Sequence, residues 1–425
     1  MLYINSDKMK PDHELLVGIV NDSIRRGIKL KNLEVLLPFC VKSVEVAADT
    51  LRRKWGIGNP NAAADINRFL SSCDMEEVYA ACYKDGKWSS KAENLKELAA
   101  GGFEPAIDIL SYRKAKAYSN AVSGLIGLRR GDGRVYPEIS VQKTNRIGYK
   151  SPALLNIPRA LLWSVIEPRM DDSRIICIDV KQQEPKILMN MLGIEDLQDL
   201  ARYNSDIYSA AYKELFGTEC NTKQRDEFKM CWNATTYGAS KKSLVERCKY
   251  IDGGAVYSYL HRFKELSDYI GRSYAMSRKG VNKVETYFGT VVETDKVGGA
   301  LRRSLLDIPI QGTGADILAF MVEHLTRLVD DAGLDTDIEL YYTRHDELVL
   351  EVSNSLIDGI GGDEAIKEYL RENFKHEIDD WFPIEVDVDF AEENSELLEQ
   401  AKNFVNSGGA EFTEHEFEDD FDEYY

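Results

Sequence analysis

Two short stretches indicate the fold of this sequence: RIICIDVKQQEPKIL at residues 174–188 and TRHDELVL at residues 343–350. The first is an apolar run of strand length that ends in Asp179 and leads into a helical pattern. The second places Asp346 between two strand-like runs, which is typical of a β-hairpin. We therefore expect two aspartates at the ends of strands that are far apart in sequence.

Outside these stretches, helical periodicity dominates. Apolar residues at spacings of three and four predict helices within 11–55, over about 105–125, throughout 200–280 and over 313–329. Gly131-Asp132-Gly133 predicts a turn before an alternating strand at 134–141. Together with the strand 174–180 and the hairpin, these elements predict an α+β protein.

The composition excludes several protein classes. Of the 425 residues, 44 % are hydrophobic and 29 % charged, which is enough for a packed core. No uninterrupted apolar run approaches the ~20 residues that span a bilayer, and the N-terminus has no signal pattern. The seven cysteines form no C-x-x-C pair. We therefore expect a cytoplasmic protein with reduced thiols and without a membrane segment, a disulfide framework or a zinc site.

The net charge of −19 is unevenly distributed. Residues 391–425 carry twelve Asp and Glu against Lys402, a net −11, so the other 390 residues sum to −8. Basic side chains cluster where a nucleic acid would need them: Lys143, Arg146 and Lys150; Lys223, Arg225 and Lys229; Lys241 and Lys242; Arg302 and Arg303. The charge therefore neither excludes nor supports a nucleic-acid groove.

The C-terminal residues 409–425 combine eight acids with five aromatic rings and no apolar periodicity, which predicts a disordered tail. Two interpretations are open. The tail either keeps the protein in solution, or it docks to a basic partner or competes with a nucleic acid for a basic groove.

Asp179 and Asp346 are candidate metal ligands. Nucleotidyl transfer uses carboxylates from separate segments to hold two divalent ions about 4 Å apart, and Mg²⁺ favours hard oxygen ligands. Taken singly, each aspartate is more typical of a strand-end turn than of a metal ligand. The sequence alone does not establish that the two meet.

A second candidate site lies on a predicted helix that Asn221 or Thr222 could cap. Four side chains recur every four residues and form a drifting stripe about 18 Å long: Arg225, Lys229, Asn233 and Tyr237. Cations near a helix N-terminus suit a triphosphate, and an aromatic ring suits base stacking. The alternative is a solvated basic face with one buried tyrosine.

Short blocks of this sequence resemble the motifs of family A DNA polymerases, the bacterial polymerase I type. Residues 176–188 match motif A through Asp179, Gln182 and Glu184, and residues 345–349 match motif C. Motif B is matched by Arg225, Lys229, Tyr237 and Gly238. Blocks 144–158 and 307–316 resemble the segments before motifs A and C. All occur in the family order over about residues 130–390, and the weaker stretch 11–125 resembles the thumb.

The resemblance implies a right-hand polymerase fold with an antiparallel palm sheet and helical thumb and fingers. The implied domains are an N-terminal lead and thumb at 1–125, palm at 126–199, fingers at 200–290, palm again at 291–400 and a disordered acidic tail at 401–425. It implies a monomer that extends primer-template DNA with dNTPs. No exonuclease domain is expected, and the short form suggests a phage or mobile-element enzyme in the bacterial or infected-host cytoplasm.

The resemblance also implies residue roles. Asp179 and Asp346 would bind two Mg²⁺ ions, for which Mn²⁺ can substitute, and Glu347 would aid the primer-end geometry. The implied nucleotide-binding residues are Arg225, Lys229, Gln182, Glu184, Tyr208, Asn233 and Tyr237. Within this set Lys229 would protonate the leaving group and Glu184 would exclude ribonucleotides. The implied DNA contacts are Arg146, Arg303, Gln311 and His345.

Two positions depart from the family pattern. Asn233 stands where the family usually has an aromatic residue, which leaves discrimination against dideoxynucleotides open. Tyr208 stands in place of a histidine and could donate a hydrogen bond to a phosphate, but it carries no positive charge at neutral pH. Two other functions were weighed: a single-subunit RNA polymerase, against which Glu184 and Glu347 argue, and a non-catalytic replication scaffold that binds primer-template.

Overall fold

The structure is a computed structural model that describes residues 1–84, 86–409 and 412. The chain forms two compact units. Unit 1 comprises residues 1–25, 139–148 and 170–390, and unit 2 comprises residues 26–138, 149–169 and 391–425. Each unit therefore draws on three separate segments of the sequence.

The helices are α1 (His13–Arg25), α2 (Leu33–Trp55), α3 (Ala63–Ser72), α4 (Glu76–Cys82), α5 (Ala92–Ala100), α6 (Glu104–Leu128), α7 (Arg159–Val165), α8 (Gln183–Leu192), α9 (Glu195–Tyr203), α10 (Ile207–Phe216), α11 (Thr222–Thr236), α12 (Lys241–Arg247), α13 (Gly253–His261), α14 (Lys264–Arg278), α15 (Gly298–Ala332), α16 (Asn354–Ile360), α17 (Asp363–Phe374) and α18 (Ser395–Asn406). The strands are β1 (Leu2–Ile4), β2 (Ile28–Leu30), β3 (Tyr83–Lys84), β4 (Lys87–Trp88), β5 (Arg134–Val135), β6 (Glu138–Val141), β7 (Ile147–Lys150), β8 (Ile166–Glu167), β9 (Ser173–Val180), β10 (Lys283–Glu285), β11 (Val291–Glu293), β12 (Ile338–Arg344), β13 (Glu347–Ser353), β14 (His376–Ile378) and β15 (Val386–Phe390).

A four-stranded antiparallel sheet lies at the centre of unit 1, with strand order β12-β13-β9-β15. The apolar run Ile175–Ile178 is buried in β9, which explains why a continuous apolar stretch forms this strand rather than an alternating one. The predicted strand at 174–180 and the predicted hairpin are confirmed. The turn of the hairpin is His345-Asp346.

Strand β12 contains a β-bulge. Leu340 pairs with Leu350, but Tyr342 pairs with Val349, so Tyr341 is one extra residue on this strand. The hydroxyl of Ser23 on α1 lies 2.6 Å from the carbonyl oxygen of Leu340 and 2.7 Å from that of Tyr341. Ser23 therefore links α1 to β12 at the position of the bulge.

Helix α15 is the longest helix of the described residues and begins fifteen residues before the predicted start at 313. Two glycines let neighbours approach it closely. A Cβ at Gly312 would lie 2.7 Å from Cγ2 of Thr286, and a Cβ at Gly314 would lie 2.3 Å from Oε1 of Gln183. By length and hydropathy α15 could span a membrane, but 89 % of its apolar window is buried inside the protein, as in a core helix.

Residues 200–280 are largely helical, as predicted. Helix α11 begins with a capping box. The side chain of Asn221 accepts from the backbone N–H of Gln224, and the side chain of Gln224 accepts from the backbone N–H of Asn221. Of the two predicted capping residues, Asn221 is therefore the cap. Tyr237 follows the helix as its C-terminal cap rather than lying within it.

In unit 2, helices α2 and α6 pack against each other and, with α3, α4 and α5, bury a core that includes Leu51, Leu70, Leu95 and Ile109. The order of its three-stranded sheet is β5-β2-β8. The predicted single strand at 134–141 is wrong, since β5 and β6 are separate strands with Pro137 between them. A proline has no N–H to donate to a ladder, which explains the break.

The predicted start of a disordered tail at residue 401 is wrong. Helix α18 continues to Asn406 and buries Ala401 and Phe404, with the ring of Phe404 packed 6.1 Å from that of Phe39 on α2. The ring of Phe412 lies 5.6 Å from that of Phe39. Apart from residues 409 and 412, the predicted tail 409–425 lies outside the described residues.

Candidate active site

Asp179 and Asp346 lie on neighbouring strands of the unit 1 sheet. Asp179 is the Cα partner of Glu347, the residue directly after Asp346, so the two aspartates are one position out of register. Cα atoms of such partners lie about 4.5–5.5 Å apart in an antiparallel pair. The fold therefore brings together the two strand-end aspartates that the sequence could only propose separately.

Acidic side chains form a row across this end of the sheet. On the other side of Asp179 its register partner is Asp387 of β15, which pairs with Lys181 at 2.9 Å. Glu347 is only 3 % exposed. Side chains of directly paired residues point to the same face, and like charges there repel. Glu347, Asp179 and Asp387 therefore lie in one row on one face of the sheet, and Lys181 balances the charge of Asp387.

Burial raises the pKa of Asp346 to about 6, with Glu184 and Glu347 adding to the rise and Arg146 opposing it. Burial likewise raises the pKa of Asp307 on α15 to about 6, and Glu184 adds to that rise. Arg146 and Glu184 therefore lie within electrostatic reach of both Asp307 and Asp346. Asp307 was not among the predicted site residues.

Glu184 is held at both carboxylate oxygens. Tyr237 donates its hydroxyl to Oε2 at 2.8 Å, and a guanidinium nitrogen of Arg146 lies 3.5 Å from Oε1. Burial and the carboxylate of Glu184 raise the pKa of Tyr237 well above its usual value, so its hydroxyl stays protonated and donates. Beside this group runs a narrow crevice whose lining includes Glu184, Tyr237, Asn233, Trp232 and Ile310.

Arg225 contacts Asp206 through two hydrogen bonds, Nε to Oδ2 at 2.7 Å and Nη2 to Oδ1 at 3.0 Å. Asp206 also caps α10 by accepting from the backbone N–H of Ser209 at 3.2 Å. The amide of Gln182 completes the network. It donates to the carbonyl of Ser205 and to Asp206, and accepts from the backbone N–H of Ile207.

This network changes how Gln182 is interpreted. Its side chain links the end of β9, near Asp179, to the start of α10. The nucleotide-binding role of Gln182 stays a prediction. The sequence carries a local signal for Asp206, because Asp-x-x-Ser before a helical run is a capping pattern. What the pattern does not show is the pairing with Arg225.

Tyr208 is only 2 % exposed, and burial raises the pKa of its hydroxyl. The hydroxyl lies 3.5 Å from Oδ1 of Asn233, and the ring packs edge-on against Trp232. In this arrangement the hydroxyl of Tyr208 is buried beside Asn233, and its hydrogen bond to a phosphate stays a prediction. Asn233 is half-buried at the crevice.

The other predicted site residues also belong to unit 1. Lys229 is exposed on α11, and it makes no ion pair within the part of the chain that the structure describes. Arg303 is exposed and Gln311 half-buried, both on α15. His345 is half-buried in the hairpin turn, with a left-handed φ of 55°.

The donor set fits magnesium in part. Within residues 1–84, 86–409 and 412, no three His, Cys, Asp or Glu side chains form a metal-binding group. Mg²⁺ is, however, usually held by one or two carboxylates together with waters and substrate phosphates. Asp179 at the end of β9 and Asp346 in the adjacent hairpin turn supply hard oxygens, and this agrees with a site completed by the nucleotide.

Comparison with known proteins identifies the family. The sequence model of DNA polymerase family A matches residues 43–396. The chain is 28 % identical over 303 residues to DNA polymerase I of Pseudomonas aeruginosa, covering 65 % of this chain and 32 % of the relative. It is 29 % identical over 377 residues to DNA polymerase I of Chloroflexus aurantiacus, covering 81 % of this chain and 39 % of the relative.

These curated relatives are longer, and the chain spans between about a third and two fifths of their length. Among solved structures, the polymerase domain of Pol1 from M. smegmatis, in complex with DNA primer-template and dNTP, matches with a TM-score of 0.73 and 20 % identity. The match covers 90 % of this chain and 70 % of that one, and it confirms the predicted α+β polymerase fold. Because the family model covers most of the sequence, this chain belongs to DNA polymerase family A.

Proposed function

We propose that this chain is a DNA-directed DNA polymerase that extends the 3′ end of a primer with dNTPs by two-metal nucleotidyl transfer. The observation that carries the proposal is the register of the sheet. It aligns Asp179 with Glu347 and so brings Asp346 beside Asp179. Family membership supports the same reaction.

Asp179 and Asp346 would hold two Mg²⁺ ions, with Mn²⁺ as a substitute. When bound, such ions lower the pKa of an attacking hydroxyl and neutralise charge on a leaving pyrophosphate. The two aspartate carboxylates supply the hard oxygen ligands that Mg²⁺ favours. Glu347, buried beside them, would fix the turn that carries Asp346 and thereby the geometry of the primer end.

The triphosphate would meet the exposed cationic side of α11. Lys229 is the group whose ammonium is accessible, and it would bind the phosphates and give a proton to the leaving group. Arg225 is held in place by Asp206, so its guanidinium is preorganised beside the same site. Gln182 and Tyr208 would act indirectly, through Asp206 and Asn233 respectively.

Sugar selection would depend on Glu184 and Tyr237. A carboxylate that is fixed by Tyr237 and Arg146 cannot swing aside to admit a 2′-hydroxyl. Tyr237 would also border the insertion site. For the duplex, Arg146, Arg303, Gln311 and His345 are the proposed DNA contacts, and their donors suit phosphate oxygens and base edges.

Primer extension on a DNA template with Mg²⁺ and dNTPs tests this function. We expect extension by the intact chain and a loss of about 10³-fold or more in Asp346→Asn, which keeps the shape but removes the charge. The control is Asp389→Asn, the same change at an exposed position of β15. Primer binding without extension by the intact chain would contradict the proposal and favour the scaffold function.

The same assay with rNTPs separates the DNA polymerase from a single-subunit RNA polymerase. The contacts of Tyr237 and Arg146 with the Glu184 carboxylate favour incorporation of dNTPs. Comparable incorporation of rNTPs would favour the RNA polymerase.

We further propose primer-template DNA and dNTPs as the partners of a cytoplasmic monomer, in agreement with seven free thiols. Docking of a basic replisome partner to the acidic tail rests on composition alone. Truncation after residue 412 should weaken the binding of that partner or change the salt dependence of DNA binding. No change in either quantity would leave only a solubilising role for the tail.

A further inference from the structure

Helix α11 presents two different faces. The proposed nucleotide face carries Arg225, Lys229 and Asn233. A second series, Lys223, Glu227 and Cys231, is offset by two residues, which is about 200° around the helix axis. This second face, called here the rear face, contacts the segment 248–251 that follows α12.

Three consecutive contacts join the rear face to this segment. The ammonium of Lys223 lies 5.3 Å from the ring centre of Tyr250. The carboxylate of Glu227 accepts backbone N–H bonds from Lys249, Tyr250 and Ile251, at 2.7 to 3.2 Å. One helical turn later, Sγ of Cys231 lies 2.9 Å from Sγ of Cys248.

These two thiols differ in access. Cys231 is fully buried, whereas Cys248 is half-buried at the end of α12. The hydrogen bond with Cys231 lowers the pKa of Cys248. Hydrogen bonds from the backbone N–H groups of residues 249–251 to Glu227 hold the segment that follows Cys248 against α11, which keeps the two sulfurs close together.

We propose that Cys231 and Cys248 are a site of reversible disulfide formation with a low-molecular-weight disulfide as oxidant. The thiolate of Cys248, the accessible group, attacks one sulfur of the oxidant and releases one small thiolate. Cys231 then loses its proton to the released thiolate or to solvent, attacks the sulfur of Cys248 and releases the second small thiol. The two protein thiols are oxidised by two electrons, and the oxidant is reduced to two thiols.

This modification goes beyond polymerisation. It would convert a clamp of hydrogen bonds between α11 and segment 248–251 into a covalent link, on the face opposite the proposed nucleotide stripe. Disulfides of this kind in reducing compartments are transient and redox-sensing rather than structural. The site therefore agrees with the reduced state of the other cysteines.

The test treats the full reduced chain with oxidised glutathione and then alkylates the remaining thiols under denaturing conditions. Trypsin cleaves at Lys241 and Arg247, between the two cysteines, so two linked peptides identify the bond. We expect linked peptides that contain Cys231 and Cys248, and their separation by dithiothreitol. Unlinked peptides, alkylated as in the untreated chain, would overturn the proposal.

Variants test the order of attack. In Cys231→Ser, Cys248 should retain one glutathione per chain, because no second thiol resolves the mixed disulfide. In Cys248→Ser, Cys231 should react at least about tenfold more slowly, because a buried protonated thiol is a poor nucleophile. Cys220→Ser, at a half-buried thiol elsewhere in unit 1, should behave like the unaltered chain. A stable mixed disulfide on Cys248 in the unaltered chain would overturn the proposal, and this result does not depend on folding of any variant.

Discussion

The hydroxyl of Tyr237, at the end of α11, donates to the carboxylate of Glu184, at the start of α8, across 2.8 Å. Arg146 lies 3.5 Å from the other oxygen of the same carboxylate. Three elements distant in sequence therefore fix one acid. Its rigidity, rather than its charge alone, is what the proposed sugar selection requires.

Tyr237→Phe removes only the hydroxyl that donates to Glu184. We expect dNTP incorporation to continue, while the preference for dNTPs over rNTPs falls by roughly 10-fold, since hydrogen bonds to charged groups contribute about 1.5–3 kcal/mol. The measurement is the ratio of kcat/KM values for the two substrates. Tyr269→Phe is the control, because that hydroxyl donates to the carbonyl of Leu306 instead. An unchanged ratio in Tyr237→Phe would refute the role of this bond.

Lys229→Ala removes the exposed cation of the proposed nucleotide stripe. We expect kcat/KM for dNTPs to fall by about 10-fold or more, because a charged hydrogen bond to phosphate is lost. Steady-state kinetics of single-nucleotide insertion checks this. The control is Lys242→Ala, an exposed lysine of α12 that pairs with Glu246. Equal effects of both substitutions would indicate a general charge effect rather than a phosphate contact.

Tyr208→Phe tests whether the hydroxyl of Tyr208 contacts a phosphate. Its hydroxyl is buried against Asn233, so we expect the KM for dNTPs to change by less than about 3-fold, the effect of one weak neutral hydrogen bond. A much larger rise in KM, with an unchanged melting temperature, would restore the direct phosphate contact that the sequence predicts.

Gly314→Ala places a methyl group 2.3 Å from Oε1 of Gln183, a side chain that is 3 % exposed. We expect the free energy of unfolding to fall by about 1–3 kcal/mol, the cost of overpacking. Gly18→Ala is the control in α1, where a methyl group meets nothing within 4 Å and should stabilise the helix by about 0.5–1 kcal/mol. Denaturant unfolding measures both, and equal signs would contradict the close approach.

His376 gives a pH dependence of stability. Burial lowers its pKa to about 4, so the folded protein binds its proton more weakly than the unfolded chain does. Stability from this residue is complete above pH 6.5 and is lost as the pH falls toward 4, by about 2 kcal/mol at pH 5. His376→Gln should flatten the fall between pH 7 and pH 5 in denaturant unfolding. An equally steep fall in this variant would exclude His376 as its source.

The sequence identified the elements that carry strong local signals. The apolar run before Asp179, the hairpin around Asp346 and the cap at Asn221 all depend on neighbours within a few residues, so pattern and capping rules find them. The pairing of Asp179 with Glu347, by contrast, depends on how strands from distant segments align, which no local pattern encodes.

The difference between local signals and contacts of distant segments also explains which features of the site the sequence does not show. Tyr208 is buried because Trp232 and Asn233 pack over it, and its sequence neighbours do not show this packing. The local sequence predicts that Asp206 is a helix cap, and the structure confirms this. Its pairing with Arg225, however, arises only when α10 and α11 pack together. Asp307 was not predicted as a site residue because it lies on the part of α15 before residue 313, where the helix was predicted to begin.

The extra residue Tyr341 also determines which acid occupies the hairpin tip. If the pairing of Ile338 with Val352 continued without the bulge, Arg344 would face Asp346 and a single residue would have to close the loop. Hairpin loops need at least two residues, so the strand would have to slip, and each one-residue slip turns every side chain to the opposite face. The number of residues between Ile338 and Asp346 is therefore a constraint of its own, which length changes in this strand would violate even if every side chain were retained.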